Sequence, residues 1–299
     1  MTKRLISAQT SEIFAMTAKE LKQSIQASEG RVICSENVAP ARGVIGELTN
    51  AELAKAFGAD LILLNGFDVF EPVITGLEHI EQDKVRTLRE YVGRPVGANL
   101  EPVDLSVNML EDRAIISSGR QASAESLAAA KALGLDFVCL TGNPGTGVSN
   151  SQIVKAIHLA KENFGGLIIA GKMHAGGSSE AVVDIKAVQA FVEAGADIIL
   201  VPAVGTVPGF EAAELTEIVK LVHGAGALVM SAIGTSQESS DADIIKQIAI
   251  QNKICGVDIQ HIGDAGFSGI APVENIMVLS NAIRGNSHTL AIIGKSVRR

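Results

Sequence analysis

The sequence predicts a single (β/α)8 barrel with an extra N-terminal helix. Short apolar, β-branched runs recur along it, helical periodicity fills the stretches between them, and glycines stand where helices must stop. The runs start near Arg31, Asp60, Pro95, Asp136, Leu167, Asp197, Ala227 and Cys255. They lie about thirty to forty residues apart, the length of one strand–loop–helix unit. Eight such units suffice to close a barrel, and the nearly continuous apolar character of the runs suits a parallel sheet covered on both faces. An open doubly wound sheet would begin with a Gly-rich turn; here Ser35-Glu36-Asn37-Val38-Ala39-Pro40 stands after the first run.

The elements follow in order. Residues 1–30 form an N-terminal extension, with a helix over Thr17–Ala27 opened by Thr17 and Glu20 in capping-box spacing. Residues 31–299 form the barrel. Its helices end in Gly before the next strand, as in Phe57-Gly58-Ala59-Asp60, Leu133-Gly134-Leu135-Asp136 and Ala194-Gly195-Ala196-Asp197, three joints that read as a weak internal repeat. Asp184–Ala194 places Ile185, Val188, Phe191 and Val192 on one helical face, and Glu211–Val222 does so with Leu215, Ile218, Val219 and Val222. The long connection Pro102–Ser123 reads as a lid, and Asp68–Gly76 as a second rim loop. The tail Lys295–Arg299 is expected to fray.

Composition narrows the partners. With 25 Lys+Arg against 33 Asp+Glu the net charge is -8, and aromatics are 3% of 299 residues. A diffuse acidic surface with few stacking rings excludes nucleic acid and anionic membrane as expected partners. Cys34, Cys139 and Cys255 are sparse, odd in number and outside any CxxC, which fits a reducing compartment and small buried hydrophobes. No apolar stretch approaches ~18 residues, and Met1-Thr2-Lys3-Arg4 leads into polar residues, so a cytoplasmic location is expected. Barrels commonly self-associate, so a homo-oligomer is among the expectations.

Barrel chemistry sits at the C-terminal ends of strands. The polar residues ending the runs are Glu36, Asn65, Asn99 with Glu101, Thr141 with Asn143, Lys172 with His174, Ser231, and Asp258 with Gln260, followed by His261. Residues two apart share a strand face, so the four pairs are expected to point into one polar pocket. Lys172 is a candidate Schiff-base amine or an anion-binding cation, and His174 and His261 are candidate proton carriers. Glu36, Glu101 and Asp258 together suggest Mg2+ or Mn2+ held by oxygen ligands. Phosphate is expected at the loops after strands seven and eight, through Gly234, Thr235, Gly263 and Gly266, although Asp264 there would repel it. Arg120 or Arg113 would close the lid on an anionic substrate.

The chain resembles the bacterial (β/α)8 proteins described as phosphoenolpyruvate-phosphonomutase-like, through its barrel rhythm, its Ala/Gly-rich helices and the opening Val32–Pro40. That group carries an Asp-rich DxDxGYG-type metal segment and a KKCGH-type loop. Here the third strand ends Asn99-Leu100-Glu101-Pro102, and Gly171-Lys172-Met173-His174 keeps only a Lys and a His. No catalytic residue is carried over from the family. A haloacid-dehalogenase-type hydrolase does not fit, because Asp241-Ala242-Asp243 begins a helix instead of ending a strand.

The expected function is therefore a lyase, aldolase or isomerase acting on a small anionic, phosphorylated carbonyl metabolite. Lys172 would engage the carbonyl, Glu101 or His174 would move the proton, and the last two loops would hold the anion. The alternative is a catalytically silent barrel that binds a metabolite as a regulatory or scaffold protein.

Overall fold

In the computed structural model, which describes residues 3–109, 112–174 and 180–299, strands join in sequence order into a closed parallel barrel. Met1 and Thr2 of the N-terminal reading, and Leu110 and Glu111 of the lid reading, lie outside the described residues. Two helices, α1 (Thr10–Phe14) and α2 (Ala18–Gln26), precede β1 (Val32–Val38). The first half continues with α3 (Asn50–Ala56), β2 (Leu61–Asn65), α4 (Lys84–Val92), β3 (Val96–Leu100), α5 (Ala124–Ala132) and β4 (Phe137–Leu140). The second half holds α6 (Asn150–Asn163), β5 (Leu167–Gly171), α7 (Ile185–Ala194), β6 (Ile198–Pro202) and α8 (Ala212–Gly224). It ends with β7 (Leu228–Ile233), α9 (Ala242–Cys255), β8 (Ile259–Ile262) and α10 (Val273–Gly294). No helix among the described residues is long and apolar enough to cross a membrane.

Alternation along each strand divides the molecule into two cores. Ile33, Ile62, Val96, Val138, Ile168, Ile199, Val229 and Ile262 face the helices. Val32, Cys34, Leu61, Leu63, Phe137, Cys139, Leu200 and Met230 fill the barrel interior. Gly97 belongs to that interior for a steric reason: a Cβ there would meet the Phe137 ring at 2.3 Å. The N-terminal segment closes the barrel floor, where Leu5, Ile13, Leu21 and Ile25 join the interior core. α2 is capped as expected, with the Thr17 hydroxyl accepting the Glu20 N–H at 3.3 Å and the Glu20 carboxylate accepting the Thr17 N–H at 2.8 Å.

The glycine joints have a structural partner. Asp60 bonds Ile33 twice, donating its N–H to the Ile33 carbonyl and accepting the Ile33 N–H on its carboxylate, both at 2.9 Å. Asp136 treats Val96 in the same way, Asp197 treats Ile168, and Asp258 treats Val229. Each carboxylate also meets a basic side chain: Arg284, Arg89, Lys22 and His223 respectively. Among the described residues this latch occurs at the start of β2, β4, β6 and β8. The fourth joint, Gly256-Val257-Asp258, carries Val where the others carry Ala or Leu.

Two expectations are corrected. Cys255 ends α9, and β8 begins four residues later, because α9 keeps its periodicity through Ile248, Ala249 and Asn252 to Cys255 before Gly256 stops it at φ 97°. The tail is docked, not frayed: the Ser11 N–H donates to the Arg299 carbonyl at 2.8 Å, and Lys295 Nζ to the Ala8 carbonyl at 2.7 Å.

Candidate active site

Inside the barrel the apolar interior gives way to polar groups one step nearer the C-terminal end. Cys34 is followed on the same face by Glu36, Leu63 by Asn65, Gly97 by Asn99, and Cys139 by Thr141. Glu36, Asn65, Asn99 and Thr141 floor a cavity of about 370 Å³ at the barrel mouth. Its walls come from the loops after the strands: Gly142–Pro144, Met173 with His174, Gly234–Ser236 with Glu238, and Gly263–Ala265.

The floor is tied together by side chains. Glu36 Oε1 accepts Asn99 Nδ2 at 2.5 Å, and Glu36 Oε2 lies 3.0 Å from His261 Nε2. Asn65 and Asn143 form a reciprocal amide pair across the mouth, each donating to the other at 2.9 Å. Asn65 gives its second amide hydrogen to Asp264 Oδ2 at 2.8 Å. Asn143 is fixed from behind by Glu101, which accepts its backbone N–H at 2.8 Å and its amide at 2.9 Å.

Electrostatics single out Asp264. Burial, and then the charge of Glu36, push its carboxyl up to about 7, while the Asn65 amide and His261 pull it down. The carboxyl of Asp264 is thus poised to gain and lose a proton near neutrality. Burial holds the His174 imidazole below its ordinary value, with Glu36 and Glu101 opposing. Glu238 is buried on the turn after β7, and its Oε1 accepts the Ala265 N–H at 2.8 Å.

Of the residues expected in one pocket, Glu36, Asn65, Asn99, Asn143, His174, Gly234, Thr235 and Gly263 line this cavity. His261 sits beneath it against Glu36, and Glu101 stands behind Asn143. Arg120 donates to Glu101 at 2.8 Å, and Arg113 to the carbonyls of Thr146 and Val107, so both arginines are held within the rim. Asp104 anchors the same loop, accepting the Ser149 hydroxyl at 2.5 Å and the Ser106 hydroxyl at 2.6 Å.

Other residues lie elsewhere. Asp258 is at the opposite end of β8, in the latch to Val229. Gln260 alternates with the inward Ile259 and His261, so it faces the helices, where it donates to the Ala249 carbonyl at 3.0 Å. Ser231 shares the outward face of β7 with Val229 and Ile233 and is fully buried. Lys172 continues the outward face of Ala170, stands outside the cavity lining, and pairs with Glu180 at 2.5 Å. Gly266 is a turn residue: a Cβ there would strike the Ile270 carbonyl at 2.1 Å. Gln260, Ser231 and Lys172 fall on the outward parity of their strands, whereas Asp258 stands before the first residue of β8.

The expected divalent ion does not fit the trio named for it. Glu36 and Glu101 have carboxylate oxygens bound to Asn99, His261, Asn143 and Arg120, and Asp258 is at the other end of the barrel. Among the described residues no group of three or more His, Cys, Asp or Glu is spaced to hold a metal. Sequence reasoning missed Asp264 as a site residue, weighing it only against phosphate, and missed Glu238 and Met173. The signal for Asp264 was its place in the loop leaving β8; Glu238 sits on a turn with no periodic pattern to mark it.

Comparison with known proteins adds the fold and a family. A putative fructose-1,6-bisphosphate aldolase from Coccidioides immitis is 12% identical, with 94% of this chain and 97% of that one covered at a TM-score of 0.50. An archaeal fructose 1,6-bisphosphate aldolase is 15% identical, with coverage of 86% and 95% and the same TM-score of 0.50. A 2,3-dimethylmalate lyase of the PEP mutase/isocitrate lyase superfamily is 13% identical, with coverage of 82% and 80% at a TM-score of 0.49. At such identities the likeness is one of fold. No curated protein matches the chain. Residues 6–299 match a family model described as a domain of unknown function (DUF7916), and the chain belongs to that family.

Proposed function

We propose that this barrel is a lyase, aldolase or isomerase that moves a proton at a carbon beside a carbonyl, with Asp264 as the proton carrier. The observation that carries this reading is the half-buried Asp264 carboxyl on the lining of the polar mouth, raised by burial and by the charge of Glu36. A group that titrates near the working pH is both a competent base and a competent acid. Asp264 in its ionised form takes the proton from carbon, and the electron pair of the broken C–H bond passes to the carbonyl oxygen. The hydroxyl of Thr141 and the imidazole of His174, both on the cavity lining, are the groups placed to donate to that oxygen. The protonated carboxyl then returns the proton to the neighbouring carbon, or to the enolate left after carbon–carbon cleavage. Glu36 is a positioning residue: its charge adds to burial in raising Asp264, and its oxygens hold Asn99 and His261.

Solvent deuterium exchange into hydroxyketones and keto acids, followed by proton NMR, tests this reading. The wild-type chain should label at least one compound, and Asp264→Asn should slow labelling by about a hundredfold or more. Equal rates in the two proteins would remove Asp264 from the chemistry. The silent-binder alternative draws support from one observation: Glu36, Glu101 and Lys172 have their charged atoms bonded to the protein itself. A ligand that binds with no exchange in the wild-type chain would favour it.

A further inference from the structure

Among the described residues lining the mouth cavity, none is Lys or Arg, while Glu36, Glu238 and Asp264 bring three carboxyl groups. Most of the amide hydrogens are already engaged. Asn65 gives its two amide hydrogens to Asn143 and Asp264, Asn143 gives its two to Asn65 and Glu101, and Asn99 donates to Glu36. Three buried side-chain oxygens remain without a partner. Asn99 Oδ1, Thr141 Oγ1 and Glu238 Oε2 have no hydrogen-bond partner among the described residues. All three belong to cavity-lining residues that are only 4%, 2% and 1% exposed. A buried polar atom without a partner is costly, so such atoms mark where a ligand supplies the missing bond. Two of them are pure acceptors, and the hydroxyl can accept as well.

We propose that the cavity takes a non-anionic, donor-rich small molecule, an amino sugar or its parent sugar in the open carbonyl form, whose ammonium and hydroxyl hydrogens satisfy Asn99, Thr141 and Glu238. This ligand class rests on the reading of the cavity as the active site. A phosphate ester is the poorer fit on two counts. It brings acceptors to the unpartnered oxygens of Asn99 and Glu238, and it brings negative charge to Glu36 and Glu238 with no Lys or Arg among the described lining residues. In the last barrel loop, where many barrels offer N–H groups to phosphate, two such groups are engaged within the protein: Gly263 donates to the Ile233 carbonyl at 2.9 Å and Ala265 to Glu238 Oε1 at 2.8 Å.

The test is calorimetric titration of the full chain with three- to six-carbon polyols and sugars, their amino derivatives and their phosphate esters. At least one amino or neutral member should bind about tenfold or more tightly than its own phosphate ester. Thr141→Val, which keeps the side-chain shape, should weaken that binding by about tenfold with the melting temperature unchanged, and Glu238→Gln should weaken the amino member more than the neutral one. Tightest binding by phosphate esters, or no binding by any non-anionic member, would overturn the ligand class. The two proposals fail separately. Binding of an amino sugar or its parent sugar without deuterium exchange upholds the ligand class and removes the proton-transfer reading, whereas exchange on a phosphate ester alone does the reverse.

Discussion

Glu36 and His261 meet at 3.0 Å across the β1–β8 seam that closes the barrel, with exposures of 3% and 0%. The pair joins the first barrel strand to the last, directly beneath the cavity. Glu36→Ala would leave the buried side chains of His261 and Asn99 without their common partner at the cavity floor. We expect a loss of roughly 3 kcal/mol in urea unfolding at neutral pH, in the range found when one member of a buried pair is removed. The same change removes the negative charge that raises Asp264. Glu36→Gln should therefore bring the Asp264 carboxyl resonance to titrate at lower pH, and an unmoved titration would show that Glu36 does not set it.

Asp264 also gives stability a pH dependence of definite sign. Its folded value of about 7 stands above the ordinary 3.8, so the native state binds the proton more tightly than the unfolded chain. The stability tied to this group is present in full below pH ~4 and is lost as pH climbs through ~7. Urea midpoints should fall across that window in the wild-type chain, and the fall should flatten in Asp264→Asn. A wild-type curve that rises from pH ~4 to ~7, with no change on substitution, would contradict the assignment.

The latch residues predict a different phenotype. Asp258 bonds both backbone groups of Val229 at the floor end of β8, with His223 on its carboxylate at 2.8 Å. Asp258→Ala should cost roughly 1–3 kcal/mol by leaving a buried N–H unpaired. Ligand affinity and deuterium exchange at the mouth should hold at wild-type levels, since the full length of β8 separates the two ends. Loss of binding without loss of stability would restore Asp258 to the site.

The barrel was legible because its signals are periodic. Apolar alternation, helical faces and a glycine before each latch aspartate recur often enough to survive a misplaced boundary. The site was legible where the strand end was read to the residue: Asn99, Thr141 and Asn143 line the mouth, and Glu101 stands behind it. It failed where a strand's start or its inward parity was misassigned. Starting the last strand at Cys255 carried Asp258 and Gln260 toward the mouth, while the true β8 turns His261 inward and Gln260 outward. Lys172 failed for the same reason, following the outward Ala170. Glu238 was beyond reach, because its role depends on how the turn after β7 folds back against Ala265 and no spacing along the chain records that.

Lys172 supplies the last prediction. Its Nζ lies 2.5 Å from Glu180 Oε2, and its side chain is 5% exposed. An amine engaged with a carboxylate, off the cavity lining, has no route to a bound carbonyl, so a Schiff base there lacks both its nucleophile and its geometry. Borohydride reduction in the presence of dihydroxyacetone or pyruvate should leave the intact mass of the chain unchanged. Lys172→Met should cost stability, about 1 kcal/mol for a partly exposed pair, and leave deuterium exchange intact. A reduced adduct mapped to Lys172 by peptide mass would break the Glu180 pairing as an account of this residue. It would also move the chemistry from carboxylate proton transfer at Asp264 to amine catalysis on the other side of the β5 strand end.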